Sequence, residues 1–118
     1  DILSDLCMKA PQKAIQVFTI KNKKIMAKKI YKYQLDTTDI QRIEMQQGAE
    51  ILCVQTQNEI PCIWALVEPN ATVTKRTFEI FGTGHNVPEN ANRSYVGTYQ
   101  LNNGQLVFHC FELHGLTE

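Results

Sequence analysis

The chain has 118 residues, 43% of them hydrophobic, and no net charge at neutral pH. That is enough apolar material for one core of ordinary domain size, and it excludes a second independent core. No run approaches the roughly 18 consecutive apolar residues of a membrane-spanning helix. Asp1 and Asp5 stand where a signal peptide would carry bases. The expectation is a cytoplasmic protein with no membrane association.

The zero charge conceals an asymmetry. Up to Gln34, eight lysines face two acids; beyond it, four bases face ten acids. A basic head admits weak nucleic-acid contact. It also admits packing on the acidic body, and the simplest reading is a solvated lysine-rich segment.

In chain order, Ile2, Leu3, Leu6 and Ala10 recur at helical spacing, Ser4-Asp5 can cap a short helix, and Pro11 ends it. Ile15 to Ile20 reads as a strand, and Lys21 to Lys24 as a polar break. Met26-Ala27-Lys28-Lys29 reads like the start of a bacterial coding sequence. Residues 1–25 are therefore expected to be an upstream extension, with a genuine N-terminal arm as the alternative. Residues 26–118 form the body.

The body alternates with a period of two. Tyr31, Tyr33 and Leu35 line one side of a first strand, and Asp36 to Asp39 form a turn. Ile43 and Met45 mark a second strand, closed by Gln46-Gln47-Gly48. Ile51–Gln57 and Ile60–Val67 read as a third and a fourth, joined by a hairpin. Both are apolar at nearly every position, which predicts cover on both faces, with Trp64 in the core. Thr77 to Phe81 is a fifth strand, and Gly82 to Arg93 a loop rich in Gly, Asn and Pro. Tyr95–Leu101 and Leu106–Leu113 form a hairpin around Asn103-Gly104, a pair suited to positive φ at both positions. The fold class is mainly β: a single-domain antiparallel sandwich or small barrel of about seven short strands.

Several phrases of the body carry a resemblance: Lys29-Ile30-Tyr31-Lys32-Tyr33, Gly48-Ala49-Glu50-Ile51-Leu52, Trp64-Ala65-Leu66-Val67, Phe78 to His85, Val96-Gly97-Thr98 and Leu106 to Glu112. In this order they resemble a small domain family of unknown function found in bacteriophage and prophage genomes, over roughly Met26 to Leu113. The resemblance implies a phage or prophage accessory protein in a bacterial host cytoplasm. It supplies no activity, cofactor or catalytic residue. Where that family often has an Ala-Pro-Thr-Glu-like phrase after the fourth strand, this chain reads Ala71-Thr72-Val73-Thr74. The departure weakens any role for that loop.

The residues themselves offer one pocket hypothesis. Gly82-Thr83-Gly84-His85 follows a strand, and its glycines let a ligand approach the backbone, whose N–H groups can hold an anion. His85, Arg76 and Arg93 would add cationic donors, and the arginine fork suits phosphate. The competing reading is a strand exit with ordinary surface arginines. The case for metal is weak: His109 and Cys110 point to opposite faces of a strand, and no Cys-x-x-Cys occurs. Cys53, Cys62 and Cys110 sit among apolar neighbours and read as buried thiols, and the acids are scattered singly. No cofactor, metal or catalytic residue is expected. Tyr31, Tyr33, Tyr95, Tyr99, Phe108 and Phe111 form either a stacking face or a plain core, the latter preferred.

The functional expectation is a non-catalytic binding module that acts on a host protein or by self-association. The first alternative is sequestration of a small phosphorylated or nucleotide ligand near Gly82–His85. The second is weak nucleic-acid binding through the lysine-rich head.

Overall fold

The computed structural model describes residues 27–115. The helix expected over Ile2 to Ala10, the strand over Ile15 to Ile20 and the basic head up to Met26 lie outside the described residues. Seven strands follow in order: β1 (Lys29–Gln34), β2 (Ile40–Gln46), β3 (Glu50–Gln57), β4 (Ile60–Val67), β5 (Val73–Gly82), β6 (Arg93–Leu101) and β7 (Leu106–Leu113). They form a three-stranded sheet of order β1-β4-β3 and a four-stranded sheet of order β2-β5-β7-β6. Every pairing is antiparallel. No helix among the described residues is long and apolar enough to cross a membrane.

Alternation decides which side of each strand is dry. Residues directly opposite in an antiparallel pair point to the same face. Ile63 lies between Tyr33 and Val54, and Ala65 between Tyr31 and Ile51. In the second sheet, Ile80 opposes Cys110 and Met45 opposes Thr74. The two inner faces meet in one core that includes Leu35, Met45, Ile63, Val67, Phe78 and Cys110. Removing each large side chain from water contributes about 1.5–3 kcal/mol.

The hairpins fix the register. Asn58 and Glu59 close β3–β4 with φ of 52° and 66°. In the β6–β7 turn the expected pair Asn103 and Gly104 has φ of 55° and 85°, and Asn102 joins them at 55°. The register closes at Leu101 opposite Leu106, as expected, so the loop holds the four residues Asn102 to Gln105. The two turns touch: Glu59 Oε1 accepts from the Asn102 N–H at 2.7 Å.

One corner of the sandwich is closed by two edge strands. β3 carries a register shift between Ile51 and Cys53, and β6 one between Tyr95 and Gly97. Such bulges bend an edge out of its sheet. Here they bring the edges together: a Cβ at Gly97 would stand 2.8 Å from Val54 Cγ1 and 3.6 Å from the Val54 nitrogen. Only hydrogen fits in that gap.

Three expectations are corrected. β5 begins at Val73, not Thr77, because Thr74 and Arg76 continue the ladder opposite Met45 and Ile43 behind a charged local sequence. The apolar runs of β3 and β4 are not covered on both sides: Leu52 and Ile60 are each 44% exposed. Trp64 is half-buried on the outer side of the three-stranded sheet, because it shares a face with Lys32.

The Gly97 contact has a measurable consequence. Gly97→Ala should lower stability by about 1–3 kcal/mol in urea unfolding, as overpacking does. Adding Val54→Ala should recover part of that loss. A neutral Gly97→Ala would show that these edges do not meet.

Candidate functional site

The loop that leaves β5 is a tight turn pinned to its own sheet. Gly84 takes a φ of 89°, which favours glycine. The His85 N–H donates to the Gly82 carbonyl at 3.0 Å, and the Thr83 N–H to the Val107 carbonyl at 3.3 Å. The His85 ring folds back over Gly82, where an added Cβ would stand 3.0–3.4 Å from it. Two of the N–H groups expected to face an anion are therefore spent inside the protein.

The two arginines do not converge on this loop. Arg76 shares the inner face of β5 with Phe78 and Ile80, six residues or about 20 Å along the strand from Gly82. Its Nε donates to Glu112 Oε2 at 2.6 Å and its Nη2 to Glu112 Oε1 at 2.9 Å, while Nη1 donates to the Ala49 carbonyl at 2.6 Å. Arg93 stands on the opposite side of the four-stranded sheet. Its Nε donates to Glu79 Oε1 at 2.8 Å, and Nη1 reaches the Pro88 carbonyl. Its guanidinium lies 5.5 Å from the Phe81 ring centre. A partly buried carboxylate neutralises each fork, so the joint phosphate clamp expected from Arg76, Arg93 and His85 does not assemble. Gly82, Thr83, Gly84 and His85 do stand together, and Arg93 buttresses the loop from below.

What the structure brings together instead is an aromatic surface. On the outer side of the four-stranded sheet, Phe111 packs edge-on against Phe81 at 5.8 Å and against Tyr95 at 5.3 Å between ring centres. His109 lies opposite Phe81 and Thr98 in the register. Its Nε2 meets Thr83 Oγ1 at 2.7 Å and its Nδ1 meets Thr98 Oγ1 at 2.8 Å; Thr98 in turn bonds the Tyr95 hydroxyl. A hydroxyl both donates and accepts, so either neutral tautomer of His109 is satisfied. Val87 and the turn wall off a hollow of about 230 Å³ over these rings. The far end of the loop is held by the His114 N–H on the Asn92 carbonyl at 2.8 Å. Tyr95 is 60% exposed and Val87 41%.

The alternation that placed His109 and Phe111 two apart on one strand was visible in the sequence. Their meeting with Phe81 and Tyr95 needs the order of β5, β7 and β6, which local pattern does not contain. Of the aromatic set read as core, Tyr31, Tyr33, Tyr99 and Phe108 do face inward. Tyr95 and Phe111 are the exceptions.

Neither nucleophile nor metal chemistry gains support from the geometry. Cys62 and Cys110 are buried free thiols, and Cys53 is half-buried. Burial, with Glu112 close by, pushes the Cys110 thiol up to about 12. No group of three or more His, Cys, Asp or Glu that could hold a metal ion occurs among the described residues.

Two predictions follow from these environments. Arg93→Ala should destabilise the fold by about 2–4 kcal/mol in urea unfolding, because it strands Glu79 with only 15% of its side chain exposed. It should also speed amide exchange across residues 83–92; unchanged stability and exchange would show that the ion pair does not hold the loop. The raised Cys110 value carries a sign. The unfolded thiol ionises near 9.0 and the folded one near 12, so stability is intact below pH 9 and falls as pH rises toward 12, by ~1.4 kcal/mol per unit. Burial raises Tyr99 as well, in the same sense. Urea midpoints measured from about pH 8.5 to about 10.5 should therefore fall more steeply in the wild type than in Cys110→Ala.

No curated protein and no solved structure matches the chain significantly. One family model does match, over residues 26–117, which takes in all seven strands and the loop just described. By that match the chain belongs to the family described as a domain of unknown function, DUF7352.

Proposed function

We propose that the chain is a non-catalytic binding module, of the accessory kind that phage and prophage genomes encode, acting in a bacterial cytoplasm. It engages a host protein through the outer side of the four-stranded sheet. One observation carries the reading: Phe111 stands in edge-on contact with Phe81 on one side and Tyr95 on the other, on a side turned away from the core, with Tyr95 60% exposed. Rigid aromatic side chains on an open face lose little entropy on binding and bury large areas, and so they dominate interface energetics. The surrounding threonines and histidine supply a polar rim.

The phosphorylated-ligand alternative is less well supported. Both arginines it needs are committed to carboxylates, and the Thr83 and His85 N–H groups of the turn are bonded to carbonyls. Of the three cationic side chains that reading names, His85 is the one that stands at the turn. Nucleic-acid binding rests on the basic head, of which residues 1–26 lie outside the described residues.

The test is to place a photo-crosslinking benzoylphenylalanine at position 95 in bacterial cells and to identify the captured protein by mass. Tyr95→Ala and Val87→Asp should each weaken binding to that protein at least tenfold while thermal unfolding stays cooperative. Equal affinity in both variants would overturn the reading. A bound mass of a few hundred daltons on the purified protein would favour the phosphorylated ligand instead.

A further inference from the structure

The three-stranded sheet also has an outer side, and its chemistry is different. In the register, Ile30, Leu66 and Glu50 form one row across β1, β4 and β3, and Lys32, Trp64 and Cys53 form another. All six share a face. Ile30 is 60% exposed, and Leu52, lifted out by the bulge of β3, is 44% exposed. The Lys32 ammonium lies 5.9 Å from the centre of the Trp64 ring. Exposed apolar side chains of this size, gathered on one face, mark an interaction surface.

Charge across the face decides what fits it. The β1 edge presents Lys32 and the β3 edge presents Glu50, with the apolar residues of β4 between them. We propose that a second copy of the chain docks here, about a two-fold axis running along β4 beside Trp64. A half-turn about an axis parallel to the strands lays β1 of one copy over β3 of the other. Each lysine edge then faces a glutamate edge, Lys32 standing two residues, or about 6.6 Å, along the strand from the opposing Glu50, within reach of its long side chain, while Trp64 and Leu66 meet their counterparts near the axis. The other in-plane axis, across the strands, stacks β1 on β1 and β3 on β3, so that a lysine edge meets a lysine edge and a glutamate edge meets a glutamate edge. Of these two, the first arrangement is self-complementary in both charge and apolar surface, as an isologous interface must be.

Lys32 Nζ donates to Gln57 Oε1 at 2.6 Å, an exposed contact that docking exchanges for a carboxylate. The footprint is modest. Three strands about 4.8 Å apart and eight residues long at about 3.3 Å each cover less than the ~800 Å² per partner of a tight complex. The dimer is therefore weak, dissociating at micromolar concentrations. It leaves the outer side of the four-stranded sheet free, so a host protein and a second copy can be held together.

Sedimentation of the full chain from about 1 to about 500 µM tests this. The expected result is a monomer–dimer equilibrium, with Trp64 emission shifting to the blue as the dimer fills. Lys32→Glu and Glu50→Lys should each weaken the dimer at least tenfold, with circular dichroism unchanged. The double variant, which restores opposite charges across the axis, should recover most of the affinity. A monomer at every concentration would overturn the proposal. So would a dimer that neither charge reversal affects, or one that the double variant fails to restore.

Discussion

Glu112 is buried at one end of the core, where an unpaired carboxylate would be intolerable. Arg76 answers it with two parallel hydrogen bonds and places a third N–H on the Ala49 carbonyl, just before β3. One cation thus ties β5 to β7 within one sheet and reaches the approach to the other sheet. Removing either partner would leave the other charge in a nearly dry setting, so the pair is costly to break even where its net contribution is small. The remainder of the inner face is apolar or hydrogen-bonded: the Tyr99 hydroxyl meets Thr37 at 2.8 Å, and no buried side-chain nitrogen or oxygen among the described residues lacks a partner.

That internal use of charge shapes what remains for the surface. Arg93 repeats the arrangement on the outer side, where Glu79 neutralises it and its guanidinium lies against Phe81. With both arginines committed, the surface around the loop is aromatic and hydroxylic. The loop is fastened at Thr83, at Pro88 through Arg93, and at Asn92 through His114. A surface held at three points is preorganised, which lowers the entropy cost of binding.

The architecture leaves two faces open for a simple reason. Seven strands in two layers, with no helix among the described residues, give each sheet one dry side and one wet side. Apolar residues beyond what one core can hold must then lie outside, and they divide into two chemically distinct groups. Phe81, Phe111 and Tyr95 sit with His109 and threonines on one side; Ile30, Leu52 and Trp64 sit between a lysine and a glutamate on the other.

The sequence by itself determined the class of fold, the number of strands and the positions of the hairpins. These are local properties: a period of two, β-branched runs, and Asn or Gly where φ must be positive. It also marked Gly82–His85 as a distinct turn. It misplaced the start of β5, because Lys75 and Arg76 break the local alternation while their partners in β2 restore it. It put Trp64 in the core, because an apolar run does not reveal whether a second layer covers it. It joined Arg76 to Arg93 in one pocket, although one points inward toward Glu112 and the other outward toward Glu79. Only the tertiary structure decided those partners, the meeting of Phe81, Tyr95, His109 and Phe111, and the contact of Gly97 with Val54. Each depends on which strands become neighbours, and strand order is set by the packing of the whole chain rather than by any stretch of it.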